Sequence, residues 1–119
     1  MLTPSARQLV DLMGQAPRGP RREGLFALWM TVRILEELDL SEPHLERATR
    51  RRVALLERRL SSLALPVPLI RGLGRVIEAL KVEPAPNARL LLSQLVGSTR
   101  EALGAEAGDA LQKAIRTRR

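Results

Sequence analysis

The chain has 119 residues, a formal net charge of +7 and no cysteine. That length suits one domain with one core, and the lack of cysteine removes disulfides, thiolate catalysis and Cys-ligated zinc. Phe26 and Trp29 are the only aromatic residues, so the set of stacking platforms on which single-strand binders rely is missing.

Apolar residues recur at helical spacing from end to end, and no run alternates as a strand would. Thr3 is placed to cap a first helix with Pro4 at its first position. Ala6, Leu9, Val10 and Met13 share its apolar face, and Gly14 is suited to end it. Residues 14–22, GQAPRGPRR, read as a flexible basic connection.

A second helix is expected over Gly24–Leu40. It opens with Leu25–Met30, LFALWM, which is apolar all round, and it turns acidic at Glu36, Glu37 and Asp39. Ser41 as N-cap and a Leu40–Leu45 staple then start a third helix, expected over Glu42–Leu65 and ended by Pro66 and Pro68.

The fourth helix begins near Pro68. Its stripe is Leu69, Ile70, Leu73, Val76, Ile77 and Leu80, with Gly72 and Gly74 inside it as either close contacts or weak spots. Glu83–Pro86 closes it, and Asn87 caps a fifth helix carrying Leu91, Leu92, Leu95 and Val96. Gly97 has the character of a stop, and Ser98 with Glu101 has the spacing of a capping box that would start the last helix. That helix carries Leu103, Ala107, Ala110, Leu111, Ala114 and Ile115, with Gly104 and Gly108 as points of kink or break; residues 117–119 form a frayed tail. The fold class is all-α: a single compact bundle of five to six helices over residues 1–119, with short connections containing Pro and Gly.

Little in the chain points to catalysis. His44 is the only histidine, and no second His or Glu stands at metal-ligand spacing from it. The acidic group of Glu36, Glu37, Asp39 and Glu42 lacks the alternating ligands and glycine turn of a calcium loop. Gly72-x-Gly74 follows no strand and precedes no Lys-Ser or Lys-Thr, so it is no phosphate loop. The serines have no base but His44. The expectation is a protein without enzymatic activity, cofactor or metal.

Residues 46–60, ERATRRRVALLERRL, divide on a helical wheel. Arg47, Arg50, Arg51 and Arg58 form a ridge opposite the apolar face, a candidate polyanion-binding surface. Arg52 and Arg59 lie beside that face, their stems suited to cover core. The tight join between the second and third helices makes them antiparallel, with Arg52 near the acidic helix end and Arg59 reserved for a contact with another subunit. A helix-turn-helix drawn over residues 60–77 would expose Arg71 and Arg75, but its turn holds two prolines and no glycine.

These residues point to an interaction protein that self-associates, through Phe26, Trp29, Met30, Arg52 and Arg59 as candidate interface. The partner is then a second copy, as a homo-oligomer (dimer), or an acidic protein. Nucleic acid bound by the ridge is the alternative. No transmembrane segment is expected, the longest unbroken apolar run being Leu25–Met30 against the roughly 20 residues that a span needs, and membrane-surface attachment is disfavoured. The N-terminus lacks the pattern of a signal peptide, so the expected location is the cytoplasm.

Overall fold

The computed structural model describes residues 3–37, 47–82 and 86–117, and the side chains of Glu37, Arg47, Ala48, Val82, residues 86–89 and Thr117 lie outside that description. Outside it too fall Ser41, the Leu40–Leu45 staple, His44, Asp39 and Glu42 of the acidic group, Glu83 to Ala85, the side chain of Asn87, and Arg118 and Arg119 of the tail. The described residues form seven helices and no strand, so the class is as expected and the helix number slightly higher.

Helix α1 spans Pro4–Gln15. Thr3 caps it as the sequence indicates, its Oγ1 accepting from the Ala6 amide at 3.2 Å. Gly14 does not stop it; the helix runs to Gln15, and the Ala16 amide donates back to Leu12 and Met13. Its buried face is Ser5, Ala6, Leu9 and Leu12. Val10, 37% exposed, and Met13, half-buried, are turned away from the core centre. The wheel is therefore rotated by part of a turn from the sequence expectation, because Leu12 rather than Val10 or Met13 enters the core.

Helix α2 covers Pro20–Glu37 and is the hub, packing on α1, α3, α6 and α7. Its start corrects the 14–22 connection. Pro20 occupies a first-turn position where a missing N–H costs nothing, and the Glu23 amide closes the turn on the Gly19 carbonyl at 3.1 Å. Leu25, Ala27, Leu28 and Met30 are buried, as are Val32, Ile34 and Leu35. Being apolar all round suits a helix that touches four others.

Helix α3, Arg47–Leu60, ends five residues before the expected Leu65. Ser61 and Ser62 turn their hydroxyls back onto the Arg58 and Arg59 carbonyls, at 2.9 and 3.0 Å, offering the backbone an alternative to further helix. Leu63 still enters the core. Helix α4, Val67–Val82, buries Leu69, Leu73, Val76, Ile77 and Leu80 of its stripe, while Ile70 stays half-buried at the stripe's edge.

The Gly97–Glu101 junction is the clearest correction. Helix α5, Pro86–Gln94, stops at Leu95, and α6, Val96–Leu103, begins at once with no side-chain cap. Gly97 lies within α6. Burial of Leu95, Val96 and Thr99 sets this bend, overriding the local capping chemistry. The break expected at Gly104 does occur, at φ +102, and α7, Ala105–Thr117, follows. Gly108 leaves α7 unbroken. It makes room instead for the Arg100 stem, which crosses it to reach Asp109 at 2.8 Å and Gln112 at 3.0 Å. Arg21 of α2 donates to the Leu103 carbonyl at 3.0 Å, satisfying an acceptor left over at the α6 terminus. The Cα radius of gyration is 13.0 Å, close to the ~13 Å typical of a single domain of about this length.

Candidate functional site: an arginine-rimmed apolar groove

The N-terminal half of α2 lies between the C-terminal half of α1 and the end of α3. Between these elements runs an open groove of about 590 Å³. Val10 and Met13 of α1 and Phe26 of α2 line its apolar part. Around them stand Arg18, Arg22 and Arg59, with Glu23 the only acidic residue of the lining among the described residues. Both α1 residues are here because Leu12 took the core position. Arg22 is here because α2 starts at Pro20, which places Arg22 one turn before Phe26 on a shared face.

Arg59 and Phe26 meet directly. The guanidinium carbon lies 4.4 Å from the ring centroid, a cation–π arrangement. This contact shows that the end of α3 lies beside the start of α2, the antiparallel pairing expected from the short join. The Phe26 ring in turn contacts Trp29, with centroids 5.7 Å apart and planes tilted by 36°. Trp29 is half-buried against the core, and its buried Nε1–H has no acceptor among the described residues. It stands behind Phe26 as support. Met30 belongs to the chain's own core at 7% exposure.

The five candidate interface residues thus separate. Phe26 and Arg59 share the groove, Trp29 backs it, Met30 is interior, and Arg52 is half-buried about two turns before Arg59 on α3. Of the ridge, Arg50, Arg51 and Arg58 are exposed, and the Arg47 side chain lies outside the described residues. Leu55, at 51% exposure, lies on the same face of α3 as Arg51, Arg58 and Arg59, one turn from each.

A second concavity of about 490 Å³ lies between α3 and α4. It holds Arg71 and Arg75, but Glu57 and Glu78 line it as well, so its charge is balanced. Lys81 binds Glu57 across the two helices and lies 3.8 Å from Glu78. Its ammonium is held above the ordinary lysine value of 10.5, first by the hydrogen bond to Glu57, which outweighs the opposing loss of hydration, and then by the charges of Glu57 and Glu78. The helix-turn-helix drawn over residues 60–77 becomes two helices joined across residues 61–66.

Sequence reasoning missed Val10 and Met13, which it assigned to the core, and Arg18 and Arg22, which it assigned to a flexible connection. Pro20 was the available signal for Arg22, since proline is favoured at a helix start. Among the described residues no group of three or more His, Asp or Glu could hold a metal ion, and no helix is long and apolar enough to cross a membrane. Neither the models of known protein families nor the curated proteins nor the solved structures contain a match to this chain.

Proposed function

We propose that the chain is a non-enzymatic helical interaction protein acting through protein–protein contacts, self-association among them, and that the Phe26–Arg59 groove is one of its contact surfaces. The meeting of Phe26 and Arg59 at that groove carries this reading. Aromatic residues and arginine are the residue types enriched where interfaces concentrate their binding energy. Apolar residues flanked by charge also match the apolar centre and polar rim of such a contact.

Self-association is tested by light scattering over a concentration series. A dimer at micromolar concentration that Trp29→Ala and Phe26→Ala weaken would make a second copy the occupant of the groove, whereas a dimer indifferent to both would place self-association on another surface. A mass of one chain at every concentration removes self-association. The wider reading is tested by a photo-crosslinking residue placed at Met13 in the living cell. Absence of any protein adduct at this position would remove the groove as a contact surface.

A second reading is supported by the exposure of Arg50, Arg51 and Arg58, none of which forms an ion pair among the described residues. These arginines suit the phosphate backbone of a nucleic acid. Duplex binding that falls steeply with salt, and that is lost when all three are replaced by glutamine, would support this reading. No mobility shift at low salt would remove it.

A further inference from the structure

We infer that the groove receives an acidic amphipathic helix from a different protein, with leucine-type side chains seated on Val10, Met13 and Phe26 and carboxylates meeting Arg18, Arg22 and Arg59. This rests on the reading of the groove as a protein contact surface.

Charge selects the sign of the partner. The groove sets three arginines against Glu23, on a chain whose net charge is +7. Arginine pairs with carboxylates through two parallel N–H donors, and Arg59 has its cation already positioned over the Phe26 ring. The same charge disfavours a second copy. A two-fold contact brings one patch against itself, so three arginines would face three arginines.

Shape selects the class. The cavity is concave and partly apolar, and a flat lipid surface does not enter a recess between helices. Phosphate binding would leave Val10 and Met13 without a role. An amphipathic helix uses both parts, placing apolar anchors at i, i+3, i+4 and i+7 and acids at their flanks. The track also extends beyond the groove. Arg59 belongs both to it and to the outer face of α3, where Leu55 stands 51% exposed with Arg51 and Arg58 on either side.

The test uses the full chain and two fluorescein-labelled helical peptides of identical leucine pattern, one with glutamate and one with lysine on the flanks. Fluorescence anisotropy is expected to show the acidic peptide binding at least about tenfold more tightly than the basic one, with affinity falling as salt is raised. Phe26→Ala should weaken it by about tenfold or more. Arg18 and Arg22 are exposed, so an Arg18→Glu/Arg22→Glu variant keeps the fold and should reverse the preference between the peptides. Equal binding of the two peptides, binding of neither, or an unchanged preference in the double variant overturns the inference. A two-chain mass that the acidic peptide dissociates also overturns it, by making a second copy the occupant, while leaving the groove a protein contact surface. Adsorption to phosphatidylserine vesicles that the double variant abolishes, without peptide binding, overturns both.

Discussion

Gly72 and Gly74 sit two residues apart in α4, and the structure makes opposite predictions for them. A side chain methyl at Gly74 would have no neighbour within 4 Å among the described residues outside its own helix backbone. Gly74→Ala should therefore recover the helix propensity that glycine forfeits, about 1 kcal/mol. A methyl at Gly72 would stand 3.1 Å from Leu95 Cγ and 3.2 Å from Cδ1, with Cδ2 nearer still. Three side-chain atoms of Leu95 are involved, so rotating one methyl does not relieve the clash. Leu95 is 7% exposed and has little room to retreat. Overpacking of this kind costs about 1–3 kcal/mol, set against the same propensity gain of about 1 kcal/mol. Gly72→Ala should thus be neutral to about 2 kcal/mol destabilising, which leaves the two variants about 1–3 kcal/mol apart. Urea unfolding followed by circular dichroism at 222 nm measures the gap, and a thermal scan should separate the midpoints by several degrees. Equal stability of the two variants would refute the contact with Leu95 as the reason for glycine at 72.

Three further outcomes follow from other parts of the bundle. Gly104→Ala places a Cβ at φ +102 and should cost about 1–2 kcal/mol in the same unfolding assay. Leu56, 1% exposed at the contact of α3 with the core, should lose about 2–5 kcal/mol on Leu56→Ala; a loss below 1 kcal/mol would place α3 outside the cooperative core. Lys81 should titrate above pH 10.5 in a carbon-detected NMR titration, and Glu57→Gln should lower that midpoint. Since the folded-state value is raised, the Lys81–Glu57 contribution is complete below the unfolded value and fades as pH rises through the folded one.

Periodicity carried most of the core. Leu69, Leu73, Val76, Ile77 and Leu80 of α4, and Ala107, Ala110, Leu111 and Ala114 of α7, are buried as their spacing requires. A stripe of this kind fixes which face is apolar whatever lies opposite. Helix ends were less legible, because capping residues contribute about 1 kcal/mol and packing overrides them. Ser98 and Glu101 had the right spacing for a helix start, yet burial of Leu95 and Val96 moved the break to Leu95.

The candidate site shows the same division. The sequence by itself determined an all-helical chain, an apolar run with two aromatics, and an arginine helix whose Arg59 lies beside its apolar face. Only the tertiary structure decided that Phe26 and Arg59 meet, 33 positions apart in the chain. It also decided that Leu12 rather than Val10 and Met13 enters the core, which leaves those two to line the groove. The reason is physical. Spacing defines a face only to within part of a turn, and the neighbours available on each side choose which edge of that face is covered and which is left to a partner.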